Sequence, residues 1–246
     1  TFEESEGLLF SADAFGSFGA ADALFNDEQD NPFADLAEMR RYFANIVGKY
    51  GPQVQAVLKK AAGLEISTIC PLHGQVWRRD LDLLLEKHDK WSRYEAEEKA
   101  VAIFYASMYG NTAEAAEVLA AMLAEAGVKN TVVYDVSRTH VSWLIAEIFR
   151  CSNLVLAAPT YNNGLYPAML NLLEDMKALN LQNRKVSIVE NGSWAPQAGK
   201  IMREKLAGLK GMEILEKSVT VKSSLKEGQM EELRQMCAEI AGSLKA

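Results

Sequence analysis

Cysteine is scarce in this chain. Cys70, Cys151 and Cys237 are odd in number, far apart and form no Cys-x-x-Cys. That argues against a disulfide scaffold and fits a reducing, cytoplasmic compartment. Long apolar runs are missing too: none approaches the roughly 18 residues a membrane helix needs, so no membrane partner is expected. Positive charge is in deficit, with a net charge of −7 and a pI near 5.2. A nucleic-acid or anionic-surface partner is therefore not expected. No signal peptide opens the chain. Its first residue is Thr1 rather than Met, which leaves open a removed initiator and a fragment of something longer. Repeats and low-complexity tracts are absent. No Ser/His/Asp or Cys/His catalytic set can be assembled from the three histidines. What is abundant is apolar content, 49% of 246 residues. That is enough for a large core in one or two domains.

The most informative stretch is Val101 to Thr112. Six mostly apolar residues run into Ser107-Met108-Tyr109-Gly110-Asn111-Thr112, and an amphipathic helix follows. A strand that ends at a helix N-terminus makes an anion site, because the free N–H groups and the helix dipole favour phosphate. The turn is not a Walker A loop, having no Lys before its Thr, and one glycine does not make Gly-x-Gly-x-x-Gly. Ser107 and Thr112 offer hydroxyls and Asn111 an amide. Neutral donors of this kind suit a phosphomonoester, and flavin mononucleotide (FMN) is the leading candidate. The competing reading is an ordinary turn with Thr112 as a helix N-cap.

Taken in order, residues 7–12 read as a short strand ending at Asp13, followed by an irregular stretch to about residue 33. Leu36, Met39, Phe43, Ile46, Val47 and Tyr50 fall at spacings of three and four and predict an amphipathic helix. Gly51-Pro52 breaks it and starts another over about 52–63. Ile66 to Cys70 reads as a strand that ends in Pro71-Leu72-His73-Gly74. The charged segment from Trp77 starts helical, and its close, about 92–99, reads as a linker between domains. From residue 100 strands and helices alternate. Strands are expected at 101–106, 131–135, 153–158, 185–190 and about 213–221, helices at 112–126, 141–150, 167–179, 197–209 and 228–244. That pattern means an α/β fold with a five-stranded parallel sheet covered on both faces.

In such a sheet a ligand lies beyond the C-terminal strand ends. Three ends should converge: Ser107 to Thr112, then Pro159-Thr160-Tyr161-Asn162-Asn163-Gly164, then Asn191-Gly192-Ser193-Trp194. Tyr161 and Trp194 are suited to stack on a flat ring, and the Asn162–Gly164 peptides to meet a ring edge. In the first part of the chain Asp13 and His73 each follow a predicted strand. By themselves they are more readily a turn residue and a structural histidine, since metal sites usually need at least three protein ligands.

Two sets of residues carry a resemblance. Residues 100–246 resemble a flavodoxin through Ser-Met-Tyr-Gly-Asn-Thr, Ala-Pro-Thr-Tyr-Asn-Asn-Gly and Asn-Gly-Ser-Trp. Leu8 to Gly16 and Pro71 to Arg78 resemble the metallo-β-lactamase-like domain of flavodiiron proteins. The order and spacing of these blocks match that family across almost the whole chain. The resemblance implies a flavodoxin-like doubly wound sheet of order 2-1-3-4-5 in residues 97–246. Before it, residues 1–95 would be an incomplete metallo-β-lactamase-like αββα portion. It further implies FMN in the second domain and a non-haem di-iron centre in the first, with Asp13 as the bridging carboxylate and His73 as the last histidine ligand. The remaining ligands, a His-x-Glu-x-Asp-His motif and a further His, are not in this sequence, so the irons would need ligands from outside it. A separate N-terminal fragment that completes the domain is the expectation. The family function implied is reduction of O2 to water, of NO to N2O, or both, by a head-to-tail homodimer. A rubredoxin-like protein or a reduced coenzyme would donate the electrons. A flavodoxin-type electron carrier without gas chemistry is the alternative, and a non-catalytic assembly remnant a third reading.

Overall fold

The computed structural model describes residues 1–29 and 32–245, with only the backbone of residues 32–35. The chain divides into two compact units, Thr1–Glu95 and Ala96–Ala246.

The first unit holds β1 (Phe2–Glu3), β2 (Leu8–Ala12), α1 (Pro32–Tyr42), α2 (Gly51–Ala61), β3 (Thr68–Pro71) and α3 (Leu81–Ser92). Strand β2 pairs antiparallel with β1 and parallel with β3, in the order β1-β2-β3. The single helix expected up to Tyr50 is broken. After α1 come a π-turn at Phe43–Val47 and a 3₁₀ turn at Gly48–Tyr50 before α2 begins. Gly51 is needed there, because a Cβ would lie 2.3 Å from the Ser92 carbonyl oxygen. The break lets Phe43 join Trp91, His88 and Phe15 in a buried aromatic cluster. His88 lies at its centre, with Nδ1 3.0 Å from the Leu84 carbonyl oxygen. The parallel register places Leu9 beside Ile69 and Phe10 beside Cys70. Alternation sends these two pairs to opposite faces of the sheet. Ile69 is fully buried, while Phe10 remains half exposed.

The second unit holds β4 (Glu98–Tyr105), α4 (Asn111–Glu125), β5 (Thr131–Asp135), α5 (Val141–Arg150), β6 (Cys151–Tyr161), β7 (Gly164–Leu165), α6 (Pro167–Ala178), β8 (Lys185–Asn191), α7 (Ala198–Ala207), β9 (Glu213–Val221) and α8 (Glu227–Lys245). Strand β4 starts at Glu98, so the linker expected over 92–99 is shorter than the sequence implied. Five strands run parallel in the order β5-β4-β6-β8-β9. In order of appearance that is 2-1-3-4-5, the doubly wound flavodoxin-like arrangement. One small strand was not foreseen: β7 folds back antiparallel on the end of β6. The strands are apolar along their length because both faces are covered. Val101 and Ile103 of β4 pack with Leu119 and Leu123 of α4 and with Leu233 and Ile240 of α8. Ala102 and Phe104 point to the other face. Helices α5, α6 and α7 form their own layer in contact with β4, β6 and β8. No described helix is long and apolar enough to cross a membrane.

Arg184 is fully buried at the entry to β8. Its guanidinium donates to the carbonyl oxygens of Ile148, Phe149, Gln182 and Asn183 at 2.8–3.0 Å. Burial lowers its pKa to about 10, so it stays charged at neutral pH. The four carbonyl dipoles meet the charge that desolvation would otherwise make costly.

Candidate functional site

The C-terminal ends of the parallel strands open into a cleft of about 490 Å³. It is lined by Ser107, Met108, Tyr109, Asn111 and Thr112 after β4, and by Pro159, Thr160, Tyr161, Asn162 and Asn163 at the end of β6. Asn191, Gly192, Ser193, Trp194 and Ala195 follow β8, and Ser223 follows β9. The register brings these ends level, with Pro159 opposite Asn191 and Asn191 opposite Val221. A fourth strand end therefore joins the three read from the sequence. Gly110 and Gly164 do not line the cleft; they shape its walls.

The first wall is the start of α4. Thr112 is not its N-cap but its second residue, 2% exposed. The cap is Gly110 at φ +91°, a conformation that L side chains rarely adopt. No side chain caps this helix. By contrast, the imidazole of His140 accepts a hydrogen bond from the Ser142 N–H at the start of α5. The first-turn N–H groups of α4 are thus left to face the cleft with the positive end of the dipole. Ser107 Oγ accepts from the Gly110 N–H at 3.1 Å, which leaves its own proton to donate.

The second wall is a tight hairpin. Tyr161 pairs with Gly164, and Asn162 and Asn163 between them both have positive φ, +49° and +58°. Two left-handed residues make a type I′ turn, which suits a two-residue connection and in which asparagine is tolerated. Thr160 has a role that the sequence did not reveal. Its Oγ1 accepts from the N–H groups of Gln197 at 2.9 Å and Ala198 at 3.1 Å. With both lone pairs engaged, that hydroxyl can only donate, so its corner of the cleft suits a ligand acceptor.

The third wall carries Trp194, which is 97% exposed. The Asn191 side chain clamps Ser223, donating to its carbonyl at 2.9 Å and accepting from its N–H at 3.1 Å. Ser193 and Ser223 hydroxyls are 2.8 Å apart. Ser223 was missed because a lone serine after a strand carries no motif; it can be found only from its pairing with Asn191. Tyr109 is also largely uncovered, and Tyr161 is partly so. Three aromatic rings and one open helix terminus thus border a single cleft. That combination fits a flat ring with an anionic tail.

Asp13 and His73 are brought together in the first unit. The loops that carry them are tied by Leu72 N–H donating to the Ala12 carbonyl and Ser17 N–H donating to the His73 carbonyl. His73 Nε2 lies 3.6 Å from Asp13 Oδ1, and the Tyr42 hydroxyl is 3.4 Å from the same oxygen. Both candidate ligands are more than half exposed. Ala12 and Phe15, on either side of Asp13, have left-handed backbones at φ +54° and +65°. For a residue as bulky as Phe15 that is a strained conformation. Among the described residues no group of three or more His, Cys, Asp or Glu side chains could hold a metal ion. Two donors do not fit a di-iron centre, so the described residues do not hold one by themselves. His88 and His140 have other places, in the aromatic cluster and at the start of α5.

A family model for flavodoxin matches residues 103–236. Rubredoxin-oxygen oxidoreductase of Megalodesulfovibrio gigas is 30% identical over 245 residues, covering 98% of this chain and 60% of that protein. Its likeness extends to structure: rubredoxin oxygen:oxidoreductase from Desulfovibrio gigas superposes with a TM-score of 0.89 at 30% identity, over 98% of this chain and 60% of that one. The chain belongs to the flavodiiron protein family. A further flavodiiron protein, from Giardia intestinalis, shares the fold with a TM-score of 0.91 at 24% identity, over 99% of this chain and 60% of that one. Anaerobic nitric oxide reductase flavorubredoxin of Aeromonas hydrophila is 31% identical over 198 residues, which are 79% of this flavodiiron chain and 39% of that protein. The chain therefore spans between 39% and 60% of the length of these relatives.

Proposed function

We propose that residues 96–246 bind FMN and that the chain serves electron transfer in a flavodiiron-type oxidoreductase. The observation that carries this reading is the uncapped N-terminus of α4, opening on a cleft bordered by exposed Tyr109, Tyr161 and Trp194. The first-turn N–H groups of α4, with the hydroxyls of Ser107 and Thr112 and the amide of Asn111, hold the phosphate. Tyr161 and Trp194 flank the ring, and Pro159 and the Asn162–Asn163 turn, which Gly164 closes, meet its edge. Met108, Tyr109 and Gly110 shape the phosphate loop; Thr160, Asn191, Gly192 and Ser193 close the side near the ring. FMN, when bound, supplies exchange between two-electron and one-electron transfer.

The test compares FMN with riboflavin. If the phosphate sits on α4, FMN binds far more tightly than the phosphate-free flavin. Thr112→Val should weaken FMN by about 1.5–3 kcal/mol, the worth of a hydrogen bond to a charged group, and leave riboflavin unaffected. Equal affinities for the two flavins by fluorescence titration would remove the phosphate from this helix.

The finer reading is that Asp13 and His73 are two ligands of a di-iron centre that reduces O2 to water or NO to N2O. That chemistry lies beyond what this chain's residues perform alone. It calls for ligands from a separate N-terminal segment and for a head-to-tail homodimer with a rubredoxin-like donor or a reduced coenzyme. Iron and flavin analysis of the native preparation discriminates the readings. About two irons per flavin favours the reductase, and flavin without iron favours an electron carrier.

A further inference from the structure

We propose that Glu190 is a positioning residue for the flavin, acting through the loop that carries Trp194; this rests on the FMN reading above. Glu190 lies at the end of β8, paired with Ala158 of β6. Its two carboxyl oxygens have separate duties. Oε2 accepts from the Gly199 N–H in the first turn of α7 at 2.8 Å, and Oε1 accepts from the Thr220 hydroxyl of β9 at 3.0 Å. The carboxyl thus ties the end of one strand to the next strand and to the following helix. Thr160 closes the same helix start by accepting from Gln197 and Ala198. The three consecutive N–H groups at the start of α7 are therefore satisfied from within the protein. A carboxylate at this end also complements the helix dipole.

The span between Gly192 and Gln197 is thereby fixed at both ends. At the near end the Gly192 N–H donates to the Val221 carbonyl at 3.0 Å. At the far end stand Glu190 and Thr160. Between them Trp194, at 97% exposure, has almost no packing to hold its place. The orientation of the indole over the cleft is set by the two anchors, not by its own contacts. The fit at the far anchor is close: a Cβ at Gly199 would lie 3.0 Å from Glu190 Oε2. Two helix starts near the cleft are used differently. That of α4 is left open for an anion, and that of α7 is filled by Glu190 and Thr160, which steers the ligand's phosphate to α4.

The experiment uses Glu190→Ala, Glu190→Gln and Gly199→Ala in the full chain. Glutamine can still accept from the Gly199 N–H through its oxygen and donate to Thr220 Oγ1 through its amide. Glu190→Ala should bind FMN about fivefold more weakly, the scale of a lost helix cap and of a loop that must be ordered on binding. It should also shift the flavin midpoint potential and quench the flavin fluorescence less. Glu190→Gln should restore all three, and Gly199→Ala should reproduce the alanine effect with Glu190 in place. Amide hydrogen exchange over residues 192–199 of the flavin-free protein gives the second readout. It should quicken in Glu190→Ala and Gly199→Ala but not in Glu190→Gln. Faster exchange with no FMN binding by the wild type would overturn the flavin reading and keep the bracing of the loop. Unchanged exchange, affinity and potential in a folded Glu190→Ala would overturn the proposal.

Discussion

Lowering the pH should loosen the first unit through one imidazole. His88 is 2% exposed among Phe15, Phe43 and Trp91, and burial lowers its pKa from 6.5 to about 4. The Leu84 carbonyl opposes this only in part. Because the unfolded chain takes up the proton at higher pH than the folded one, stability is lost as pH falls through the window from 6.5 to 4. Two and a half units at 1.36 kcal/mol each give a full loss of about 3.4 kcal/mol. About 2 kcal/mol of it should be gone by pH 5 and about 3 kcal/mol by pH 4. The carboxyls with perturbed values, Glu3, Asp27 and Glu174, are all lowered, chiefly by side-chain hydrogen bonds from Ser5, Arg78 and Lys205. Urea unfolding of the first unit, followed by hydrogen exchange of its amides from pH 7.5 to 4.5, measures the slope. His88→Leu removes the titrating group, and the Nδ1 bond it gives up ends on a carbonyl of the same helix. Its stability profile should be flat where the wild type falls. Parallel profiles for the two proteins would refute the reasoning.

Further outcomes follow from the site and the core. Trp194→Ala should change stability by no more than about 0.5 kcal/mol, since the ring is almost wholly exposed, yet weaken FMN by roughly 0.5–1.5 kcal/mol if the indole stacks on the flavin. Isothermal titration beside a urea curve separates the two effects. Gly110→Ala meets no neighbour within 4 Å, so its cost is the backbone alone, about 1–2 kcal/mol by urea unfolding of the second unit. Leu119→Ala removes a fully buried side chain between α4, α8 and the sheet and should cost about 2.7–5.0 kcal/mol in the same assay.

The second unit was legible because both of its signals are local. Each strand is an apolar run, each helix a three-four periodicity, and their alternation dictates a parallel sheet whose loops gather at one edge. What escaped was set by partners distant in sequence. Thr160 reads as one more polar residue in a binding loop, and only the position of α7 shows that its acceptor sites are filled. Ser223 and β7 depend in the same way on Asn191 and the end of β6. The single helix expected through Tyr50 ignored the contact between Gly51 and Ser92, which lies 41 positions on and fixes where the chain must turn. His88 had a readable signal: Leu84, His88 and Trp91 stand four and three apart, on one buried helix face. Asp13 and His73 lie 3.6 Å apart across 60 positions of sequence, an approach that no local pattern in either loop signals.

Arg184 bears on how freely this chain can vary. Four of its hydrogen bonds end on main-chain oxygens, and every residue type offers one. What the guanidinium meets is set by the backbone path through Ile148, Phe149, Gln182 and Asn183 and not by their side chains, of which Ile148 and Phe149 are held by their own burial in the core. The arginine itself has no such latitude. Lysine brings three donors on a single nitrogen and cannot spread them over oxygens from two separate segments. One side chain thereby ties two stretches of main chain together at a junction where the helix layer meets the sheet.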